Sequence, residues 1–189
     1  MIYRAFGKRA LDVLISFTTL TLLSPLMLTV ALLIIALDPG PIIFRQIRIG
    51  RNAKPFVFYK FRSMPLNTGE APSDQIGAVK IGPVGWFIRR TNIDELPQLF
   101  NILRGDMSLV GPRPPIASQT ELIEARRTNG ALLCLPGLTG LAQINSFDGM
   151  TTSQKAMLDG IYARSVTFGG DAKIIFGTFT YLLRPPPVY

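Results

Sequence analysis

Residues 13–37, VLISFTTLTLLSPLMLTVALLIIAL, carry no charge. About 20 apolar residues cross a bilayer as a helix, so this run is long enough to do so. It makes a poor secretory signal, because its apolar part exceeds the usual ~7–15 residues and no small-x-small cleavage site follows. A buried core helix of a soluble protein is a weaker reading for so long an uncharged run. Two features bear on how it meets a membrane. Ser24-Pro25 lies near the centre, where proline removes a backbone hydrogen bond and crowds the preceding turn. A kink is expected there, with the serine hydroxyl available to a backbone group that proline frees. Both flanks are also basic, with Lys8 and Arg9 before the run and Arg45, Arg48 and Arg51 after it. The positive-inside rule then assigns both ends to the cytoplasm. A helix that enters, bends at Ser24-Pro25 and returns meets both conditions. A kinked single span is the physical alternative, because membrane helices tolerate proline.

The chain has 189 residues, about one domain, with no histidine and one cysteine, Cys134. Imidazole-dependent hydrolysis is excluded, and a lone cysteine makes neither a zinc cluster nor an internal disulfide. Carboxylates, lysines and arginines must carry any chemistry. The formal net charge of +8 is uneven: residues 39–69 hold no acid but include Arg45, Arg48, Arg51, Lys54, Lys60 and Arg62. Such a block calls for an anionic partner, whether membrane surface, nucleotide or nucleic acid.

Beyond the turn at Asp38-Pro39-Gly40-Pro41, residues 42–50 and 55–64 read as two extended segments around Gly50-Arg51-Asn52. Period-two alternation puts Phe56, Phe58, Lys60 and Arg62 on one face, where two cations can reach one phosphate. A solvated edge strand uses basic residues in the same way. A single-stranded nucleic-acid platform also interleaves aromatics with cations, but the adjacent membrane insert and the absence of an RNA-binding signature count against it. Residues 67–81 read as a polar loop, 84–90 as a short helix, and 136–140 as a turn. Leu96, Leu99, Phe100 and Leu103 recur at helical spacing, with Gly105 placed to end that helix. Further helices are expected over 121–127, 152–164 and 171–183, the last with an apolar face suited to a membrane surface. No repeat or long linker divides the chain.

Residues 91–115, TNIDELPQLFNILRGDMSLVGPRPP, concentrate the chemistry. Asn92 is placed to cap a helix with Glu95 three residues on, and acids in a first turn favour the helix dipole, so Asp94-Glu95 has an ordinary structural reading. The neighbours add another. Arg89 lies five residues before Asp94, and Arg113 is held in the rigid Gly111-Pro112-Arg113-Pro114. Arginine's fork suits phosphate. A carboxylate among such cations could hold Mg²⁺ or attack phosphorus, which makes phosphoryl transfer one available chemistry.

The ordered blocks KRALDVLIS, SPLMLTVALLI, GPIIFRQIRIG, FYKFRSM, RRTNIDELPQLFNILRGDMSLVGPRP and PGLTGLAQIN together resemble the bacterial monotopic phosphoglycosyl transferases over nearly the whole chain. That resemblance implies transfer of a sugar 1-phosphate from a UDP-sugar to undecaprenyl phosphate, with release of UMP. It implies Asp94 as the nucleophile that forms a covalent phosphosugar intermediate, with Glu95 as its partner in placing Mg²⁺ or the lipid phosphate. Lys60, Arg62, Arg89 and Arg113 match basic positions expected to bind the phosphates. Salt bridging within the fold is the alternative role for Arg62 and Arg89. Ser24-Pro25 matches the family's re-entrant break, and Lys8, Arg9 and Asp12 match its opening motif as interfacial anchors. After Gln143-Ile144-Asn145 many members continue Gly-Arg, whereas this chain has Ser146-Phe147-Asp148, so a contact from that arginine is not expected. The chain resembles the minimal form of the family, whose members often take N-acetylated 6-deoxy sugars.

The expected architecture is a mostly helical α/β membrane-associated single domain spanning residues 1–189. Residues 1–38 form a re-entrant helix-break-helix, and 39–189 a catalytic part at the cytoplasmic face of the inner membrane with interfacial amphipathic helices. The expected partners are a UDP-sugar, undecaprenyl phosphate and inner-membrane phospholipid, with Mg²⁺ as cofactor and no nucleic acid. A homodimer is compatible with this reading. The rivals are an inactive membrane-anchored scaffold of a glycan assembly complex and a basic nucleic-acid-binding module.

Overall fold

The computed structural model describes residues 3–65, 81–145 and 150–182. The polar loop expected over 67–81 therefore lies almost wholly outside the described residues, as does Ser146-Phe147-Asp148. The uncharged run forms one helix, α1 (Lys8–Leu37), of 30 residues; at 1.5 Å per residue that is about 45 Å of length if straight. The break expected at Ser24-Pro25 is not an interruption, since Pro25 sits inside the helix. The carbonyl that a residue-25 N–H would have bonded is that of Thr21, and the Ser24 hydroxyl donates to it at 2.9 Å. Thr21 and Thr29 likewise donate to Phe17 O (3.0 Å) and Pro25 O (2.9 Å). Each hydroxyl is thus satisfied by its own helix, as an apolar surrounding demands.

One face of α1 is turned to the rest of the protein. Asp12, Ser16, Val30 and Ile34 are buried, and Leu20 and Met27 are partly covered. These positions are three, four or seven residues apart and so fall along a single stripe of the helix. The other faces expose Leu14, Phe17, Leu22, Leu28, Leu32 and Leu37. Both ends are tied to the body. Lys8 Nζ donates to Asp171 Oδ2 at 2.6 Å, Arg9 donates to the Ile102 (2.5 Å) and Leu103 (2.8 Å) carbonyls, and Asp12 Oδ1 accepts from Leu109 N at 3.0 Å. At the far end Arg62 bonds the Asp38 carbonyl, with its Nη2 3.4 Å from Asp38 Oδ2.

The two extended segments pair as an antiparallel hairpin, β1 (Ile43–Ile49) and β2 (Pro55–Phe61), in the register Gln46↔Phe58 and Arg48↔Phe56. The turn is tight because Asn52 and Ala53 both take φ 58°, a left-handed conformation for which asparagine pays less than most residues. Phe61 joins Val30, Ile34 and Ile88 of α2 (Pro83–Arg90) in one buried cluster. Phe58 joins Leu99 and Ile102 of α3 (Gln98–Arg104), together with Met107, in a second. Ile102 is fully buried, and enclosing such a side chain is worth about 1.5–3 kcal/mol. Gly105 ends α3 at φ 92°, as its position predicts.

Residues 136–140 hold more than the expected turn. They contain β4 (Gly137–Thr139), which pairs in parallel with β3 (Ser108–Val110). Three-residue strands show no usable periodicity in a Gly/Pro-rich stretch. The pairing depends on close approach, because a Cβ on Gly111 or Gly137 would strike backbone of the facing segment. Helices α4 (Thr120–Asn129), α5 (Leu141–Asn145), α6 (Thr152–Arg164) and α7 (Phe168–Leu182) complete the described fold. A capping box starts α6: Thr151 Oγ1 accepts from Gln154 N and Gln154 Oε1 accepts from Thr151 N. Along α7, Ile174 is buried while Phe168, Phe176 and Phe179 are exposed.

Candidate active site

Asn92 does not cap a helix as its sequence position suggests. It takes a left-handed conformation (φ 53°), and Ile93–Glu95 form a 3₁₀ turn ahead of α3. The turn continues through Leu99 N to Leu96 O (3.0 Å) and Phe100 N to Pro97 O (3.1 Å). Pro97, lacking an N–H, suits the last position before a regular helix. The consequence is that Asp94 and Glu95 point inward. Asp94 is 5% exposed, and both carboxylates face the end of β2.

The two acids are held differently. Glu95 Oε1 accepts from Lys60 Nζ at 2.6 Å and from Arg113 Nη2 at 2.8 Å. Burial alone would raise its pKa, but Arg113 and Lys60 outweigh that and hold it well below the ordinary carboxylate range. Among the described residues no donor is hydrogen-bonded to Asp94, whose nearest cation is Lys60 Nζ at 3.7 Å from Oδ2. Burial pushes the Asp94 pKa up, opposed by Lys60 and reinforced by the Glu95 charge. One carboxylate is thus committed to organising cations, and its neighbour is buried with Lys60 as its ion-pair partner but no hydrogen-bond donor among the described residues. The second condition suits a nucleophile.

Lys60 reaches this place because Asn101, fully buried on α3, pins the helix to the backbone of β2. Asn101 Nδ2 donates to Val57 O at 2.6 Å, and its Oδ1 accepts from Tyr59 N at 3.2 Å. Arg48 on β1 is a further cation of the site. It stacks on Phe58 with its guanidinium 5.2 Å from the ring centroid, while Lys60 lies 5.7 Å from the same ring. Arg48 Nη1 donates to Pro114 O at 3.1 Å. Burial, then the adjacent Arg113 charge, lowers the Arg48 pKa to about 10, so it remains a cation at neutral pH. Arg89, half-buried at the end of α2, acts on Asp94 through its charge. Four cations around two carboxylates leave an excess of positive charge, which suits a diphosphate.

The profile of the bacterial sugar transferase family matches residues 3–185. The chain belongs to the bacterial sugar transferase family. It is 40% identical over 181 residues to the UDP-glucose:undecaprenyl-phosphate glucose-1-phosphate transferase of Klebsiella pneumoniae, covering 90% of this chain and 39% of that one. It is 38% identical over 186 residues to the UDP-N-acetylgalactosamine-undecaprenyl-phosphate N-acetylgalactosaminephosphotransferase of Aeromonas hydrophila, covering 95% and 44%. With the exopolysaccharide production protein PSS of Rhizobium leguminosarum bv. phaseoli it shares 39% identity over 187 residues, 90% of this chain and 92% of that one. The chain thus spans about two-fifths of the length of the first two relatives and nearly all of the third.

Of the residues expected to form the family's site, the fold brings Asp94, Glu95, Lys60 and Arg113 into one cluster, with Arg89 at its edge. Arg62 lies elsewhere: its partner is Asp38, at the end of α1. Lys8 and Arg9, expected as interfacial anchors, hold the start of α1 against α7 and α3. The sequence alone does not single out Asn101 as part of the site, and it marks Arg48 only as one of the basic residues that follow the membrane run. Their signals were a polar residue on the apolar face of α3, and an alternation in β1 that places Arg48 on the Phe58 face.

Proposed function

We propose that the chain transfers a sugar 1-phosphate from a UDP-sugar to undecaprenyl phosphate, releasing UMP, as the first membrane step of surface glycan assembly. The observation that carries this reading is the unequal carboxylate pair, with Asp94 paired to Lys60 only at 3.7 Å and not hydrogen-bonded by any described residue, and Glu95 clamped by Lys60 and Arg113, in a chain of this family. The names of the Klebsiella and Aeromonas relatives each specify undecaprenyl phosphate and a UDP-sugar, UDP-glucose for the first and UDP-N-acetylgalactosamine for the second. In the proposed sequence an Asp94 carboxylate oxygen attacks the β-phosphorus. The bond from that phosphorus to the α-phosphate oxygen breaks, and UMP leaves with the electron pair. An oxygen of undecaprenyl phosphate then attacks the same phosphorus, restoring the carboxylate and leaving the sugar on a lipid diphosphate. Lys60, Arg113, Arg48 and Arg89 neutralise the phosphates throughout.

Two carboxylates do not enclose a cation. They do fit Mg²⁺ delivered on a diphosphate, since Mg²⁺ is commonly held by one or two carboxylates plus substrate phosphates. Asp94 and the Glu95 oxygen not engaged by Lys60 and Arg113 would hold it, and it would supply charge neutralisation at the phosphates. The sugar we propose is N-acetylated, a class that includes the one named for the Aeromonas relative. The test is UMP release from a panel of UDP-sugars, glucose and galactose forms included, with Mg²⁺ and undecaprenyl phosphate. Release from none of them would remove the proposal.

A re-entrant, monotopic seat in the inner membrane is supported by α1 being tied to one body at both ends, through Lys8 and Arg9 and through Asp38. In a Cys134→Ser background, cysteines placed at Arg4 and at Pro41, both exposed positions, are expected to escape an impermeant maleimide in whole cells and to react in inverted vesicles. Labelling of either one from outside contradicts the re-entrant seat.

The raised pKa of Asp94 sets a pH dependence. As pH falls through that raised value the nucleophile takes up a proton and is lost, so the first half-reaction should show an acidic limb above the ordinary aspartate range. Replacing Lys60 with Met removes the main opposing charge and should move that limb to still higher pH. A limb that stays in place in the Lys60 variant would show that this charge does not control Asp94.

A further inference from the structure

Pro112-Arg113-Pro114-Pro115 has a single backbone N–H in four residues, so it cannot build a ladder of its own and its carbonyls need donors from elsewhere. Each carbonyl finds one, and the donors are four separate groups. Pro112 O accepts from Gly137 N (2.9 Å), Arg113 O from Arg126 Nη1 (2.8 Å), Pro114 O from Arg48 Nη1 (3.1 Å) and Pro115 O from Ile49 N (2.9 Å). The second bond falls on the residue whose guanidinium meets Glu95. Its donor is held in turn: Arg126 Nε donates to Asp159 Oδ2 at 2.8 Å, and Nη2 lies 2.6 Å from the same oxygen. Arg126 comes from α4 and Asp159 from α6, and their side chains are 3% and 1% exposed.

Such a pair is poorly explained as a stabiliser, because the cost of desolvating two charges offsets most of their attraction. Its geometry offers a better account. A planar guanidinium can present one edge to a carboxylate and another to a carbonyl, which a lysine ammonium cannot do in fixed directions. We infer that Arg126, oriented by Asp159, is a positioning residue of the reaction: by holding the Arg113 carbonyl it fixes the main chain from which the Arg113 guanidinium reaches Glu95 and the phosphates. Arg126 bonds Asp159 and the Arg113 carbonyl rather than either carboxylate of the site, so the pair acts through Arg113. The inference rests on the proposed phosphoglycosyl transfer.

The test uses the full chain in lipid nanodiscs with the UDP-sugar that supports UMP release. Arg126→Met/Asp159→Leu replaces the ion pair with apolar side chains, and Arg126→Lys keeps the charge but not the two-edged geometry. Each is measured alone and together with Arg113→Gln, for Tm and for kcat/KM. In the wild-type background both changes should lower kcat/KM about 10- to 100-fold, the scale of a small misplacement at a reacting centre. In the Arg113→Gln background the same changes should alter it by less than about twofold, because the group they position is gone. Any change in Tm should be the same in the two backgrounds. Equal losses of kcat/KM with and without Arg113 overturn the inference, as does full activity in Arg126→Lys. If the double replacement does not fold, the lysine variant decides alone. A wild-type protein that releases no UMP removes the proposed function and this inference with it, whereas wild-type turnover with additive losses removes the inference only.

Discussion

Asp94→Asn is expected to lower UMP release by at least about a thousandfold, the scale seen when a covalent nucleophile is removed. The substitution keeps the shape of the side chain and removes only the charged oxygen. Glu95 retains both of its cations, at 2.6 Å and 2.8 Å, so the cluster around it should persist. Stability should hold or rise, since Asp94 is a buried carboxylate to which no donor among the described residues is hydrogen-bonded, and burial disfavours its charged form. Loss of turnover with an unchanged or higher Tm would separate chemistry from folding. Mass spectrometry supplies a second readout: wild-type protein given UDP-sugar without lipid acceptor should carry a phosphosugar on the Asp94 peptide, and the variant should not. An Asp94→Asn protein that turns over at the wild-type rate would rule out Asp94 as the attacking group.

Glu95→Gln should cost less, about 100-fold in kcat/KM, and for a different reason. Glu95 carries no reacting bond in this scheme; its carboxylate is what Lys60 and Arg113 share. A neutral amide cannot hold both, which leaves Lys60 free to close on Asp94, now 3.7 Å away, and to blunt it as a nucleophile. The pH profile distinguishes this from simple damage. The Glu95 charge raises the Asp94 pKa, so removing it lowers that pKa and should move the acidic limb to lower pH while the plateau falls. A fallen plateau with an unmoved limb would mean that the two carboxylates are not electrostatically linked. Stability follows its own sign. The Glu95 pKa is depressed in the fold, so its contribution is present above the ordinary glutamate value and fades as pH falls toward the depressed one. The Tm gap between wild type and Glu95→Gln should therefore narrow in acid.

Much of the fold could be read from the chain before any coordinates. The hairpin around Gly50-Arg51-Asn52, the helix ended by Gly105, and the helix over 152–164 lie where alternation, a left-handed glycine and polar flanks place them. What escaped was short or long-range. The parallel pair of β3 and β4 depends on two glycine backbones meeting across a gap in sequence, and no local pattern encodes that. Asn92 looked like a helix cap, and its left-handed conformation came instead from the turn that carries Asp94 and Glu95 inward.

The sequence by itself determined the reactive groups and the membrane-seeking run. It has no histidine, it pairs Asp94 with Glu95, it masses cations over 39–69, and it leaves residues 13–37 uncharged. Only the tertiary structure decided how those groups divide their roles. Arg62 and Lys60 are two residues apart on one strand pattern, yet Arg62 turns to Asp38 and Lys60 to Glu95. Asp94 and Glu95 are adjacent, yet Glu95 takes both hydrogen-bonded cations while Asp94 is left desolvated. The physical reason is that a pKa and an ion pair depend on burial and on neighbours brought from distant parts of the chain. Composition states which charges exist, but only the packing of α3 on β2 sets which of them meet.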